Sequence, residues 1–159
     1  MAVTTQNSTQ YGNQIAIPPV IMEAEQHYGK LRVVKYNFTQ SGAGDATSVQ
    51  RLYKLPAGKI MLCCDQSRVH NSAFGASRTL SIGYAAYQAQ DGSAVAASAA
   101  ALSSAVDVSG ASSFIPGAVL ADGTITFTSR GGVLLQSTVA GGTIPDAATI
   151  QGTWVFAVE

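Results

Sequence analysis

Charge is scarce in this sequence. Asp, Glu, Lys and Arg make up 11% of its 159 residues, against about 25% in an average globular chain. Nine basic and nine acidic side chains cancel to a net charge of zero. No cluster of Lys or Arg could neutralise a row of phosphates, which argues against direct nucleic-acid binding. Cysteine is nearly absent. Cys63 and Cys64 are neighbours, a bridge between them would be strained, and the reading is two buried thiols with no disulfide framework. With two histidines in the whole chain, four zinc ligands at defined spacing cannot be assembled. No uncharged apolar run approaches the ~20 residues that cross a bilayer. Residues 1–20 lack the basic start and apolar centre of a signal peptide, so synthesis in the cytoplasm is expected.

Apolar residues are plentiful, at 47%, so the composition is not that of a disordered chain. The length suits one domain that buries roughly 70% of its unfolded surface. The place of the missing charge is taken by Ala, Ser, Thr, Gly and Gln. Short, weakly hydrated side chains suit close packing against other chains, and charged residues are the class depleted in interface cores. Zero net charge also removes the repulsion that keeps proteins apart. Assembly into a homo-oligomer is expected.

Two segments emerge along the chain. Residues 1–30 are rich in Gln, Asn and Thr, and Pro18-Pro19 opposes both helix and central strand. They read as an extended N-terminal arm with an apolar patch, Ile15, Ile17, Val20, Ile21 and Met22. That patch is the candidate partner-binding site. Stretched out, 28 residues reach about 90 Å. The arm either grips a neighbour through this patch or folds back on its own domain.

Residues 31–159 read as a β domain. In Leu31–Thr39, alternation puts Val34, Tyr36 and Phe38 on one face. Further strands are expected over Val49–Leu55, Lys59–Asp65, Arg78–Ala85, Ser112–Ile115, Ala118–Leu120, Thr124–Ser129, Val133–Val139 and Thr149–Val158. Lys59–Asp65, nearly continuous in apolar character, reads as covered on both faces. Leu55-Pro56-Ala57-Gly58 is turn chemistry; Asp122-Gly123 and Arg130-Gly131-Gly132 punctuate the later strands. Ser67–Ser72 reads as a polar loop. Residues 94–106 are Ala-rich and follow the capping oxygens of Asp91 and Ser93, which suggests a short helix, with a flexible loop as the other reading. Short strands without alternating helices mean all-β: an antiparallel β-sandwich, with jelly roll ahead of an immunoglobulin-like arrangement.

Chemistry is hard to find. In an extended arm Glu23, Glu25 and His27 would share a face as a metal trio, though a solvated arm explains them as well. Cys64 and His70 are close in sequence, but a loop histidine near a buried cysteine needs no catalytic role. Ser41-Gly42-Ala43-Gly44-Asp45-Ala46-Thr47 lacks the third glycine and the βαβ context of a dinucleotide loop. Asp45, Asp65, Asp91, Asp107, Asp122 and Asp146 sit in or beside loops, where aspartates cap turns. Tyr84, Tyr87, Tyr11 and Tyr28 could stack on sugars or partners, with packing the plainer account. No enzyme, cofactor or metal is expected.

Leu55-Pro56-Ala57-Gly58, then Ala73-Phe74-Gly75-Ala76 and Thr79-Leu80-Ser81-Ile82-Gly83, follow an order that resembles small structural proteins of tailed bacteriophages. The resemblance spans about residues 31–159, and its motifs are fold motifs. It implies a virion protein with a jelly-roll-like domain, acting as a capsid cement or decoration subunit. Such a subunit would sit on the capsid exterior as a homotrimer and bind the major capsid protein. A head–tail, tail or head-fibre component is the alternative within the same class. A carbohydrate-binding β-sandwich module is the alternative outside it.

Overall fold

The computed structural model describes residues 3–18, 31–118 and 120–158. Its elements are β1 (Thr5–Asn7), α1 (Thr9–Ile15), β2 (Leu31–Thr39), β3 (Val49–Leu55), β4 (Gly58–Cys63), β5 (Arg68–Asn71), β6 (Thr79–Tyr84), β7 (Tyr87–Gln88), β8 (Ala94–Val95), β9 (Ser98–Asp107), β10 (Ser112–Phe114), β11 (Thr124–Ser129), β12 (Val133–Ala140) and β13 (Thr149–Val158). The protein is an all-β sandwich of the jelly-roll kind. One sheet runs β1-β3-β12-β6-β9, the other is built around β13, and β7-β8 form a small hairpin. All named pairings are antiparallel except β1 with β3.

β13 organises the second sheet. Along one edge it pairs with the whole of β2. Its other edge pairs first with β5, over Ile150–Thr153, and then with β4, over Phe156–Val158. Between β4 and β5 the chain makes a single 3-10 turn, Cys64–Gln66. That break would orphan a buried N–H on β13. Ser67 fills it: Val155 N–H donates to Ser67 Oγ at 3.1 Å, and the hydroxyl donates to Cys63 C=O at 2.8 Å. A buried backbone donor needs such a partner.

The core lies between the sheets. Val34, Tyr36 and Phe38 of β2 are buried, as the alternation requires, and meet Trp154 and Phe156 of β13 and Leu52, Leu80, Ile82 and Leu135 from the opposite sheet. Tyr36 stacks on Trp154 with ring centroids 5.3 Å apart. Gly152, the register partner of Tyr36, lets β5 approach β13 beside this pair. A Cβ there would come within 2.0 Å of the Arg68 carbonyl oxygen.

Several expectations are corrected. Residues 94–106 form no helix: they are β8 and most of β9. Alanine's helix propensity is a weak preference, and an isolated helix this short is marginal in water. The edge of β6 offers a ladder instead. Its pairing with β9 is irregular: Leu80 faces Val106, Ile82 faces Ser103 and Tyr84 faces Ser98. The extra residues bulge out of β9, so neighbours Leu102 and Ser103 are both buried and Ala105 adopts a φ of 48°. Alanine and serine make up most of this strand, and their short side chains suit its uneven pairing.

Residues 68–71, expected in a loop, are β5, because β13 and β10 both take them up. Of the strand expected over Ala118–Leu120, Ala118 lies in a turn and Leu120 in a bend, held by Leu120 N–H donating to Gly117 C=O, while Val119 lies outside the described residues. β4 ends at Cys63 and is fully buried on one face only, since Lys59 is exposed and Met61 half-buried. Arm residues 5–15 contribute a parallel strand and a short helix against the body.

Candidate interaction surface

The arm is seated by β3, and the seat begins with a bulge. Opposite β3, Leu135 pairs with Tyr53 and Gln136 with Arg51, so Leu52 is one residue too many in its ladder. Ser8 satisfies the carbonyl left over: its buried hydroxyl donates to Leu52 C=O. The same oxygen accepts from Tyr11 N–H at 3.1 Å, the N-cap of α1. Serine at this position suits both roles. Gln6 clamps Ser41 through both backbone groups, at 2.8 and 3.0 Å.

This places the predicted apolar patch in part. Ile15, closing α1, is 50% exposed, and Ile17 is 98% exposed. Val20, Ile21 and Met22 lie outside the described residues, as do Glu23, Glu25 and His27. The sequence reading missed two further apolar residues, Leu31 and Val33, which are 54% and 48% exposed on the outward face of β2. The alternation of β2 predicts their orientation; what it could not say is that about half of each stays exposed among the described residues. β2 is also an edge strand, with no second strand partner among the described residues.

The candidate reactive groups are spread apart. Cys63 and Cys64 are buried free thiols. Burial, then the charge of Asp65, raises the Cys63 thiol; burial pushes Cys64 up to about 12. That is opposite to the activation a nucleophilic thiol needs. Asp91 and Asp107 act as turn caps: hydrogen bonds from Ser93 and Ser109 hold their carboxyls below the usual range. No group of three or more His, Cys, Asp or Glu side chains among the described residues could hold a metal ion.

One concavity gathers residues that the sequence keeps far apart. It has a volume of about 380 Å³ and is lined by Tyr11 of α1, Lys54 of β3, Tyr87 and Gln88 of β7, and Arg130 of the β11–β12 turn. Ala85, Ala86, Gly131 and Gly132 also line it. Tyr87 meets Tyr84 and Phe127 edge-on, with centroids 5.8 and 6.0 Å apart. Tyr11 carries the Arg51 guanidinium 5.7 Å from its ring centroid. A second, polar groove of about 340 Å³ crosses β2, β13 and β5, lined by Lys35, Asn37, His70, Gln151 and Thr153 among others.

Comparison with known proteins finds likeness in structure only. No protein-family model matches the chain, and no curated protein sequence does. Among solved structures, a chain in the capsid of Ralstonia phage GP4 superposes with a TM-score of 0.67 at 15% identity, covering 98% of this chain and 99% of that one. A chain in the capsid asymmetric unit of cyanophage Pam1 gives a TM-score of 0.54 at 15% identity, covering 87% and 94%.

Proposed function

We propose that this chain is a structural virion protein: a cement or decoration subunit that binds the exterior of the major-capsid-protein shell and stabilises it. The observation that carries this reading is the end-to-end match of fold with a chain of a phage capsid, 98% of one chain against 99% of the other. Coextensive likeness points to a part of the same size and shape. A shared module inside a larger machine would leave much of the other chain uncovered.

The surface agrees with such a role. Apolar side chains stand exposed at Ile15 and Ile17 and along the outer face of β2, and large exposed apolar residues that cluster mark contact sites. The arm supplies the shell contact through Ile15, Ile17, Val20, Ile21 and Met22. Self-association as a homotrimer follows the low charge, and repetition over a symmetric shell multiplies modest contacts through avidity. The shell partner is the major capsid protein, and the protein acts without chemistry.

The test is direct. Purified protein is mixed with expanded empty heads that lack it, and the heads are sedimented and imaged. Saturable co-sedimentation with added density on the outer surface supports the reading. Density confined to the neck or tail, or no binding at all, overturns it.

A further inference from the structure

We propose that the cleft between α1, β3, β7 and the β11–β12 turn is a carboxylate-binding site, which receives an acidic side chain of a partner polypeptide. That the partner is the shell protein rests on the function proposed above; the binding chemistry does not.

Charge points to the ligand. Among the described residues, Lys54 and Arg130 line the cleft and no carboxylate does, in a chain whose acidic and basic residues are equal in number. Arg51 stands behind the Tyr11 ring as a third cation. The Arg130 side chain is exposed, and its guanidinium has no hydrogen-bond or ion-pair partner among the described residues. A guanidinium in that state offers a planar fork of donors matched to a carboxylate.

The walls are fixed before a ligand arrives. Tyr87 is locked edge-on by Tyr84 and Phe127. Arg130 N–H donates to Gln88 C=O at 3.0 Å, which ties the turn to β7. Tyr11 is placed by the Ser8 cap. Gly132 holds the turn close against β3: its φ is 85°, and a Cβ there would lie 2.3 Å from the Leu55 carbonyl oxygen and 3.2 Å from Lys54 Cε. Rigid walls spare a ligand the cost of ordering them.

The lining also selects among anions and sugars. Hydroxyls of a neutral sugar need acceptors as well as donors, and among the described lining residues, beyond the phenols, Gln88 is the one side chain that carries a strong acceptor. Nucleic acid needs cations along a row of phosphates, and the cations lining this cleft among the described residues are Lys54 and Arg130. Tyrosine and arginine around a small concavity are the residue types that dominate protein–protein hot spots. The volume admits one or two side chains.

The full chain is titrated with acetyl-hexaglutamate amide and, separately, with trigalacturonate, followed by amide chemical shifts. We expect saturable shifts at Tyr11, residues 85–88 and residues 130–132 with hexaglutamate. The Lys54→Gln/Arg130→Gln double variant, both sites being exposed and its fold checked by circular dichroism, should bind at least tenfold more weakly. Absence of saturable shifts, equal binding by the double variant, or tighter binding of trigalacturonate overturns the proposal. With empty heads, a tenfold loss in the double variant supports it. Equal decoration by both proteins overturns the cleft as the shell contact and leaves the shell reading intact. If the native protein fails to bind heads, the shell reading falls, and the hexaglutamate titration decides the cleft alone.

Discussion

The Ser8 hydroxyl donates to the carbonyl of Leu52, the residue that bulges out of β3. One atom of the arm thereby closes a defect in the sheet and, by accepting from Tyr11 N–H, starts the helix that carries Tyr11 to the cleft.

Ser8→Ala removes both bonds and leaves a buried carbonyl without its partner. The expected loss is about 1–3 kcal/mol, read from urea denaturation. Amide exchange over residues 9–15 should accelerate more than exchange in β13. Unchanged exchange in α1 would show that the cap does not hold the helix.

Gly83→Ala tests the bulged pairing. A Cβ at Gly83 would sit 1.8 Å from the Ser98 carbonyl oxygen, an overlap with backbone that no rotamer relieves. The strand β9 must move, at a cost of at least ~2 kcal/mol. A chemical denaturation midpoint equal to that of the native protein would refute the packing described for β6 and β9.

Alkaline pH should act through the buried thiol. Cys64 titrates near 9 when exposed and at about 12 in the fold. Its folded value is raised, so its contribution is complete below pH 9 and is lost as pH rises from 9 towards 12, on the order of a few kcal/mol. Buried Tyr36 is raised as well, by desolvation, and adds a loss of the same sign above pH 10. Cys64→Ala keeps the Cβ and removes the thiol. Its urea midpoint should fall less between pH 8.5 and 11 than that of the native protein, and parallel falls would contradict the assignment.

Ile15→Ser/Ile17→Ser should separate stability from attachment. Both side chains are half or more exposed, so unfolding should change by no more than ~0.5 kcal/mol. Co-sedimentation with empty heads should weaken at least fivefold. Undiminished decoration would remove these residues from the shell contact.

Light scattering coupled to size exclusion should give the mass of a trimer at high protein concentration. A stable monomer of 16.3 kDa would leave the depleted charge without the explanation offered for it.

Much of the fold was legible because strands announce themselves by a period of two. In β2, burial of Val34, Tyr36 and Phe38 follows the alternation; in β13, Ile150, Trp154 and Phe156 are buried on one face, and Val155 is buried between the last two. The break at Pro56 and Ala57, where the chain passes from β3 in one sheet to β4 in the other, was legible for a similar local reason, since proline opposes strand continuation. Where two local codes compete, the sequence misleads. Alanines at 94–106 favour helix by propensity, yet pairing with β7 and β6 outweighs a few tenths of a kcal/mol per residue. His70 sits in polar surroundings that suggest a loop, and only the partners β13 and β10 make it a strand.

The cleft was illegible for a stronger reason. Tyr11, Lys54, Tyr87 and Arg130 belong to four separate stretches, and no spacing rule connects them. By itself the sequence determined that the chain would bury alternating faces, stay electrically neutral and hide its two thiols, because those properties depend on neighbours in the chain. Which edges would meet, where Leu52 would bulge and be caught by Ser8, and which side chains would share a concavity were settled only by tertiary packing. Those are matters of long-range register, and register is fixed by the fit of whole sheets against one another.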